Sequence, residues 1–427
     1  YAETLGYTVA NGEVDYTALA LENLSGPYVA QSSSVSLPLQ PVTVYRDGEV
    51  SSSAVLDQYD VYYYNQGSGT LWIYTDRVSG KITELSPDAA SPTSVTVAGA
   101  TYQIGSSSAA YQLSALNGGK TGSVVTLLLG MDGSVVDVIT GSDVESVYYG
   151  MVESSEKVVT EDGDAAVQTN VTVICTDGTA KTFTVDKAVD YKAGRLVTVK
   201  VSEGSVTIKA LTEKHTSGKV DSAATKLGSL SFAEHIEILD TSDEGAATSV
   251  DVSRLSGMSL DSDDVRYYGL DGDGRIEYLI LDDVTGDLWT YAYLTDLEDQ
   301  SQGMSINVTY TYLVGGAEQT LNSTSAQYPV EIGGIAVAYE SDGSIRTMQR
   351  MKSTKLTGLS SSWAVASNQK YAVADDVQVY LRSNGSYYLT TLSAVNTEDY
   401  TLTGWYNNSG NSAGTQIRIV IAVPREE

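Results

Sequence analysis

The chain has 427 residues, 54 acidic side chains against 25 basic ones, a net charge of −29 and a single cysteine. That balance excludes a nucleic-acid footprint, which needs clustered Lys and Arg, and one thiol excludes an intrachain disulfide. No run of about 18 apolar residues occurs, so no membrane-spanning helix is predicted.

The aromatic set is lopsided, with 30 Tyr against 4 Trp and 2 Phe. Tyr pairs an apolar ring with a polar tip, which suits sheets with one wet face. Residues 1–55 read as short strands with turns at Asn11-Gly12, Gly26-Pro27 and Asp47-Gly48 and a Ser/Pro-rich spacer at Ser32–Pro41. Tyr59–Leu85, YDVYYYNQGSGTLWIYTDRVSGKITEL, reads as a β-meander. The stretch Ser86–Ser94, with two prolines, reads as a joint.

A new unit follows, with a short helix predicted over Ser107–Leu116 and a hairpin folded at Met131-Asp132-Gly133. Further hairpins are predicted at Thr169–Val185, Gly194–Leu211, Ser305–Leu321 and Gly333–Met351. Cys175, in NVTVICTDG, reads as a small buried hydrophobe. Thr212–Phe232 is polar and reads as a linker. Val265–Thr295, VRYYGLDGDGRIEYLILDDVTGDLWTYAYLT, reads as a second meander that shares Tyr-Tyr, a Gly turn and Leu-Trp-x-Tyr with the first. Tyr371–Val423 adds strands around an Asn384-Gly385 turn.

The expected fold class is therefore all-β, with several small β-barrel or β-sandwich modules in tandem and few short helices. The divisions predicted are 1–92, 93–142, 143–213, 214–296, 297–352 and 353–427, with similar hairpins reused as one supersecondary unit. The irregular spacing predicts beads on a string.

Chemistry-bearing patterns are few. Asp271-Gly272-Asp273-Gly274, with Glu277 and Asp282, is the candidate calcium site, because calcium needs six to eight hard oxygens and D-x-D-G turns bring carboxylates together. Arg275 stands where an EF-hand-like loop wants a third acid, so a plain hairpin turn is the competing reading. Asp261, Asp263 and Asp264 form a second acidic cluster, which reads as a solvated loop or as a contributor to the same ion. His215 reads as exposed in the linker and His235 as lying on the wet side of a strand. Gly358–Ala364, GLSSSWA, lacks the nucleophile-elbow spacing. Gly118–Gly122 lacks the phosphate-loop spacing and reads as a connection. No catalytic set is predicted, and calcium is the only cofactor the acids suggest.

The runs DVYYY…LWIYTDRVSGKI, SVTVAGATYQI…AAYQLSAL…GSVVTLLLGMDGSVVDV and YYGLDGDGRIEYLILDDVTGD resemble the region downstream of the anchoring repeats in S-layer-homology-domain surface proteins of gut Firmicutes of the Clostridia type. The resemblance implies an extracellular protein of the bacterial cell surface, held to the cell wall by a segment upstream of Tyr1. The expected role is a structural, S-layer-like scaffold that self-associates. An adhesin or glycan-binding module that meets glycans or a host surface is the alternative, and a secreted hydrolase the third.

Overall fold

The structure is a computed structural model that describes residues 9–10, 13–14, 23–38, 40–159, 167–367, 369–407 and 414–425. The chain is all-β, built of sheets that follow one another along the sequence. The strands Val9–Ala10 and Glu13–Val14 pair antiparallel, and the turn residues Asn11 and Gly12 between them lie outside the described residues. The remaining sheets form units I (25–74), II (77–140), III (145–210), IV (218–282), V (290–350) and VI (352–424).

Units II, III and V share one topology. Each is a five-stranded antiparallel sheet in the order third-second-first-fourth-fifth. The first strands are Arg77–Ser86, Glu145–Val159 and Thr290–Asp299. Each pairs with the fourth strand along its first half and with the second along its last half. A register shift separates the halves, at Ile82/Glu84, Val152/Ser154 and Leu294/Asp296. Such a bulge bends a strand enough to serve two faces of a small barrel. In unit II a parallel bridge from Ile104 to Val135 links the third strand's end to the fifth. This is the arrangement of a five-stranded, partly open Greek-key barrel of the OB type.

Unit II also carries the predicted helix. It spans Ser107–Leu113, with the Ser106 hydroxyl accepting from the Ala109 amide, and a 3-10 turn at Ala115–Asn117 extends it. Gly118–Gly122 is, as expected, a connection, leading into the strand Val124–Leu129.

Units I, IV and VI share a second topology. In each, a strand and its hairpin mate are followed by an antiparallel pair whose second strand runs parallel to the first strand of that hairpin. The parallel partners are Thr43–Arg46 with Thr70–Tyr74, Leu230–Thr241 with Ile276–Asp282, and Gln369–Ser383 with Gln416–Pro424. A D/N-x-x-D signature closes the loop before the outer strand of each. The Asp60 carboxylate accepts from the Asp57 amide at 3.0 Å, Asp264 from the Asp261 amide at 2.7 Å, and Asp399 from the Asn396 side-chain amide at 2.8 Å.

Four expectations are corrected. The meanders are not single sheets: Val265–Leu270 and Ile276–Asp282 close unit IV, whereas Thr290–Asp299 founds unit V. The shared Leu-Trp-x-Tyr is a false register, because Leu71–Tyr74 ends unit I while Leu288–Tyr291 leads into a barrel. Ser86–Ser94 is a hairpin loop inside unit II, with Ser86 paired to Ser94 across it. Thr212–Phe232 is no linker: Val220, Leu227 and Phe232 are buried in the core of unit IV.

A further correction concerns beads on a string. Apolar clusters cross the unit boundaries. One runs from Val61 and Tyr63 of unit I through units II and III, and another joins Tyr291 and Tyr293 of unit V to Ile419 and Ile421 of unit VI. Burial of apolar surface is the dominant favourable term in association, so the units form packed neighbours.

Candidate functional site

The predicted calcium residues are not brought to one point. Arg275 Nε lies 2.8 Å from Asp271 Oδ2 and its guanidinium lies 2.9 Å from Asp273 Oδ2. Asp271 Oδ1 also accepts the backbone amides of Asp273 and Arg275. The Arg275 amide, followed by its side chain, holds the Asp271 carboxyl below the ordinary carboxylate range. Glu277 and Asp282 stand near opposite ends of the strand Ile276–Asp282, about 17 Å apart at strand rise. Asp264 of the second acidic cluster is buried and bonded to the Asp261 amide. Among the described residues no group of His, Cys, Asp and Glu side chains has metal-site geometry, and no helix is long and apolar enough to cross a membrane.

His215 Nδ1 lies 2.7 Å from the Val265 carbonyl and 3.1 Å from that of Ser262, pinning the segment before unit IV. His235 is exposed on its strand. Cys175 is 2 % exposed, and burial pushes its thiol up to about 12, far from a reactive thiolate.

A cleft of about 830 Å³ opens where units I, III and IV meet. Its carboxylates are mainly committed. Asp47 accepts from the Thr75 amide and hydroxyl at 2.7 and 2.6 Å. Asp177 takes Lys181 at 2.9 Å, Asp251 caps a 3-10 turn through the Ser253 amide, and Glu237 accepts from the Thr176 hydroxyl at 2.5 Å. Burial raises Glu237 above its ordinary value. These bonds fasten turns and units to one another.

Four of the seven buried charged side chains among the described residues, Glu153, Asp240, Arg266 and Arg418, stand at joints. Glu153, 5 % exposed, is the residue skipped by the bulge of unit III. At the matching position, unit II has Thr83 and unit V has Thr295, whose hydroxyls donate to the neighbouring-strand carbonyls of Thr96 and Thr311. Glu153 instead reaches out of its sheet and accepts the amide and hydroxyl of Ser341, in the last hairpin of unit V, at 2.8 and 2.6 Å. Arg346 of the same hairpin donates to the Glu153 and Glu244 carbonyls.

A second joint surrounds Val284–Asp287, between units IV and V. Asp240, fully buried, accepts the amides of Val284 and Thr285 and the Thr285 hydroxyl. Burial raises its pKa, and those three bonds oppose the rise. Arg254 of unit IV and Arg418 of unit VI close on the same loop, both donating to the Thr285 carbonyl. Arg418 also lies over the Tyr291 ring at 4.7 Å. Arg266 fastens unit IV to unit III through the Gly194 carbonyl.

Sequence reasoning passed over Glu153, Asp240, Arg266, Arg346 and Arg418. A signal was there for three of them: Glu153, Asp240 and Arg418 are charges within apolar runs, YGMVES, IEILDT and QIRIVIA. A buried charge is costly unless paired, so it marks a place where partners converge. Comparison with known protein families, curated proteins and solved structures returns no match to this chain.

Proposed function

We propose that the chain is a non-catalytic structural protein of the bacterial cell surface, an S-layer-like scaffold in which β-units pack against one another and whole chains associate side by side. The observation that carries this reading is where the buried charge is spent. Glu153 and Arg266 join units, Asp240 and Arg418 hold the loop between units IV and V, and four of the seven carboxylates that line the cleft are tied into turns and joints. A scaffold needs fixed geometry between its parts, and buried charge-assisted hydrogen bonds supply it.

The resemblance to proteins that carry S-layer-homology repeats supports an extracellular location and wall attachment through a segment outside these residues. The net charge of −29 opposes association at low ionic strength, and salt or divalent cations relax that opposition. The test is light scattering of the protein across salt and calcium titrations, followed by electron microscopy. Ordered assemblies at physiological salt are expected. A particle that stays monomeric in every condition and captures a glycan in one groove would make the protein an adhesin instead.

A further inference from the structure

We propose that the strand Ala317–Ser323 of unit V is a docking edge for the same strand of a second copy of this chain, paired antiparallel about Thr320. The biological setting rests on the scaffold reading; the chemistry rests on one sheet edge.

Ala317–Ser323 is the outermost strand on its side of the sheet and pairs only with Val308–Val314. Residues 317–320 and 322 are exposed. The connecting turn is Gly315-Gly316, both with positive φ, 55° and 85°, as a two-residue hairpin turn requires. Val314 and Ala317 therefore form the closing hydrogen-bonded pair. Strict alternation then makes Ala317, Gln319, Leu321 and Ser323 the residues bonded into the barrel. Glu318, Thr320 and Asn322 turn their amides and carbonyls outward.

Among the described strands, the other edges are guarded. Ser25–Val29 contains Pro27, and Lys352–Leu356 carries two lysines. In unit II, Gln112 Oε1 and Ser106 Oγ bond to Val138 and Val136 on the edge strand. The last strand of unit V is covered through Arg346 and Gln349. Ser386–Thr390 has Leu389 packed on the Gly316 turn. In unit III one edge strand is tied to unit II, the Thr182 amide donating to the Ala98 carbonyl, and the other carries Lys209, and the remaining edges are short or docked. Ala317–Ser323 has seven residues and neither Pro, Lys nor bulge. These are the devices that normally prevent edge pairing.

The occupant follows from self-complementarity. A two-fold axis through Thr320 sets Thr320 against Thr320 and Glu318 against Asn322. Every outward-facing residue then meets an outward-facing residue, giving about six new backbone hydrogen bonds. No acid opposes an acid, although the chain is strongly acidic, and Thr–Thr pairs are favourable across strands. Centring on 319 or 321 leaves one outward residue of each strand outside the pairing and gives about four bonds, and centring on 318 opposes two glutamates. The contact is isologous, as a two-fold dimer requires. One strand pair falls well short of the roughly 1,600 Å² of a standard interface, so the dimer is weak and concentration-dependent.

Sedimentation velocity across a concentration series, at physiological salt, tests this on the wild type, Thr320→Pro and Thr320→Asp. Proline there removes only an outward amide, so the barrel ladder stays complete. Aspartate places like charges on the axis. A circular-dichroism melt checks that each variant folds, and Thr320→Asp carries the test should the proline perturb the strand. The wild type is expected to dimerise, with both variants at least ten-fold weaker. Association unchanged in folded variants overturns the edge proposal and leaves the scaffold standing. A wild type that stays monomeric here and in the salt and calcium titrations overturns both.

Discussion

Glu153 and Ser341 lie 188 residues apart and share two hydrogen bonds, one from the Ser341 amide at 2.8 Å and one from its hydroxyl at 2.6 Å. The contact skips unit IV and joins two barrels that are not neighbours in sequence. Hydrogen bonds to a buried charged group are worth about 1.5–3 kcal/mol. Glu153→Ala is therefore expected to lower stability by roughly that amount, measured by urea unfolding. Hydrogen exchange should rise first at the last hairpin of unit V. An unchanged melt would mean the clasp is idle.

Asp283 gives a pH prediction. Its Oδ1 is buried without a hydrogen-bond partner, and burial, with Asp240 beside it, pushes the carboxyl up to about 7. A raised acid stabilises the fold fully only below its unfolded value near 4; that contribution is lost as pH rises through about 7. Asp283→Asn removes the ionisation and suits the positive φ of 43°. The variant is expected to match the wild type near pH 4 and exceed it at pH 8, by up to about 4 kcal/mol. Urea titrations at the two pH values read the difference, and parallel curves would refute it.

Gly334 faces the Trp405 indole, and an added Cβ would stand 2.9 Å from the ring. Gly334→Ala should cost about 1–3 kcal/mol by overpacking and loosen unit VI from unit V. Adding Trp405→Leu should recover part of the loss. A double variant no better than the single would place the damage elsewhere.

Cys175 is a reporter. Its buried, high-pKa thiol should resist thiol reagents in the folded protein and react when denaturant opens unit III. Fast labelling of the native chain would show that unit III opens locally.

The DGDG turn makes its own prediction. Because Arg275 already engages Asp271 and Asp273, any rise in melting temperature with millimolar calcium should be the same in the wild type and in Asp273→Ala. An increment that disappears in the variant would restore the turn as a calcium ligand.

Much of the local structure was legible. Period-two runs ending in Gly-Gly, Glu-Gly or Asx-Gly turns located the hairpins, including Val308–Val314 with Ala317–Ser323 and Leu196–Ser202 with Ser205–Ala210. Ser106 and the apolar spacing after it located the helix. The parallel pairs were not legible, since nothing local links Thr43–Arg46 to Thr70–Tyr74. The false Leu-Trp-x-Tyr register arose because chain proximity was taken for sheet membership. Residues 212–232 looked like a linker because their core is supplied by single apolar side chains, Val220 and Leu227, between polar neighbours. The joints were hidden for a related reason: pattern reading assigns charged residues to the wet face, and Glu153, Asp240 and Arg418 are buried.

The Glu153–Ser341 clasp has a mechanical consequence. Tension applied to the two ends of the chain would pass from one barrel to the other through those two bonds and the Arg346 bond to the Glu153 carbonyl. Everything threaded between them, unit IV included, would carry no load until they shear. When they part, the enclosed stretch would become slack that lengthens the chain under strain. The chain would thus yield at one chosen place while its terminal units stay folded.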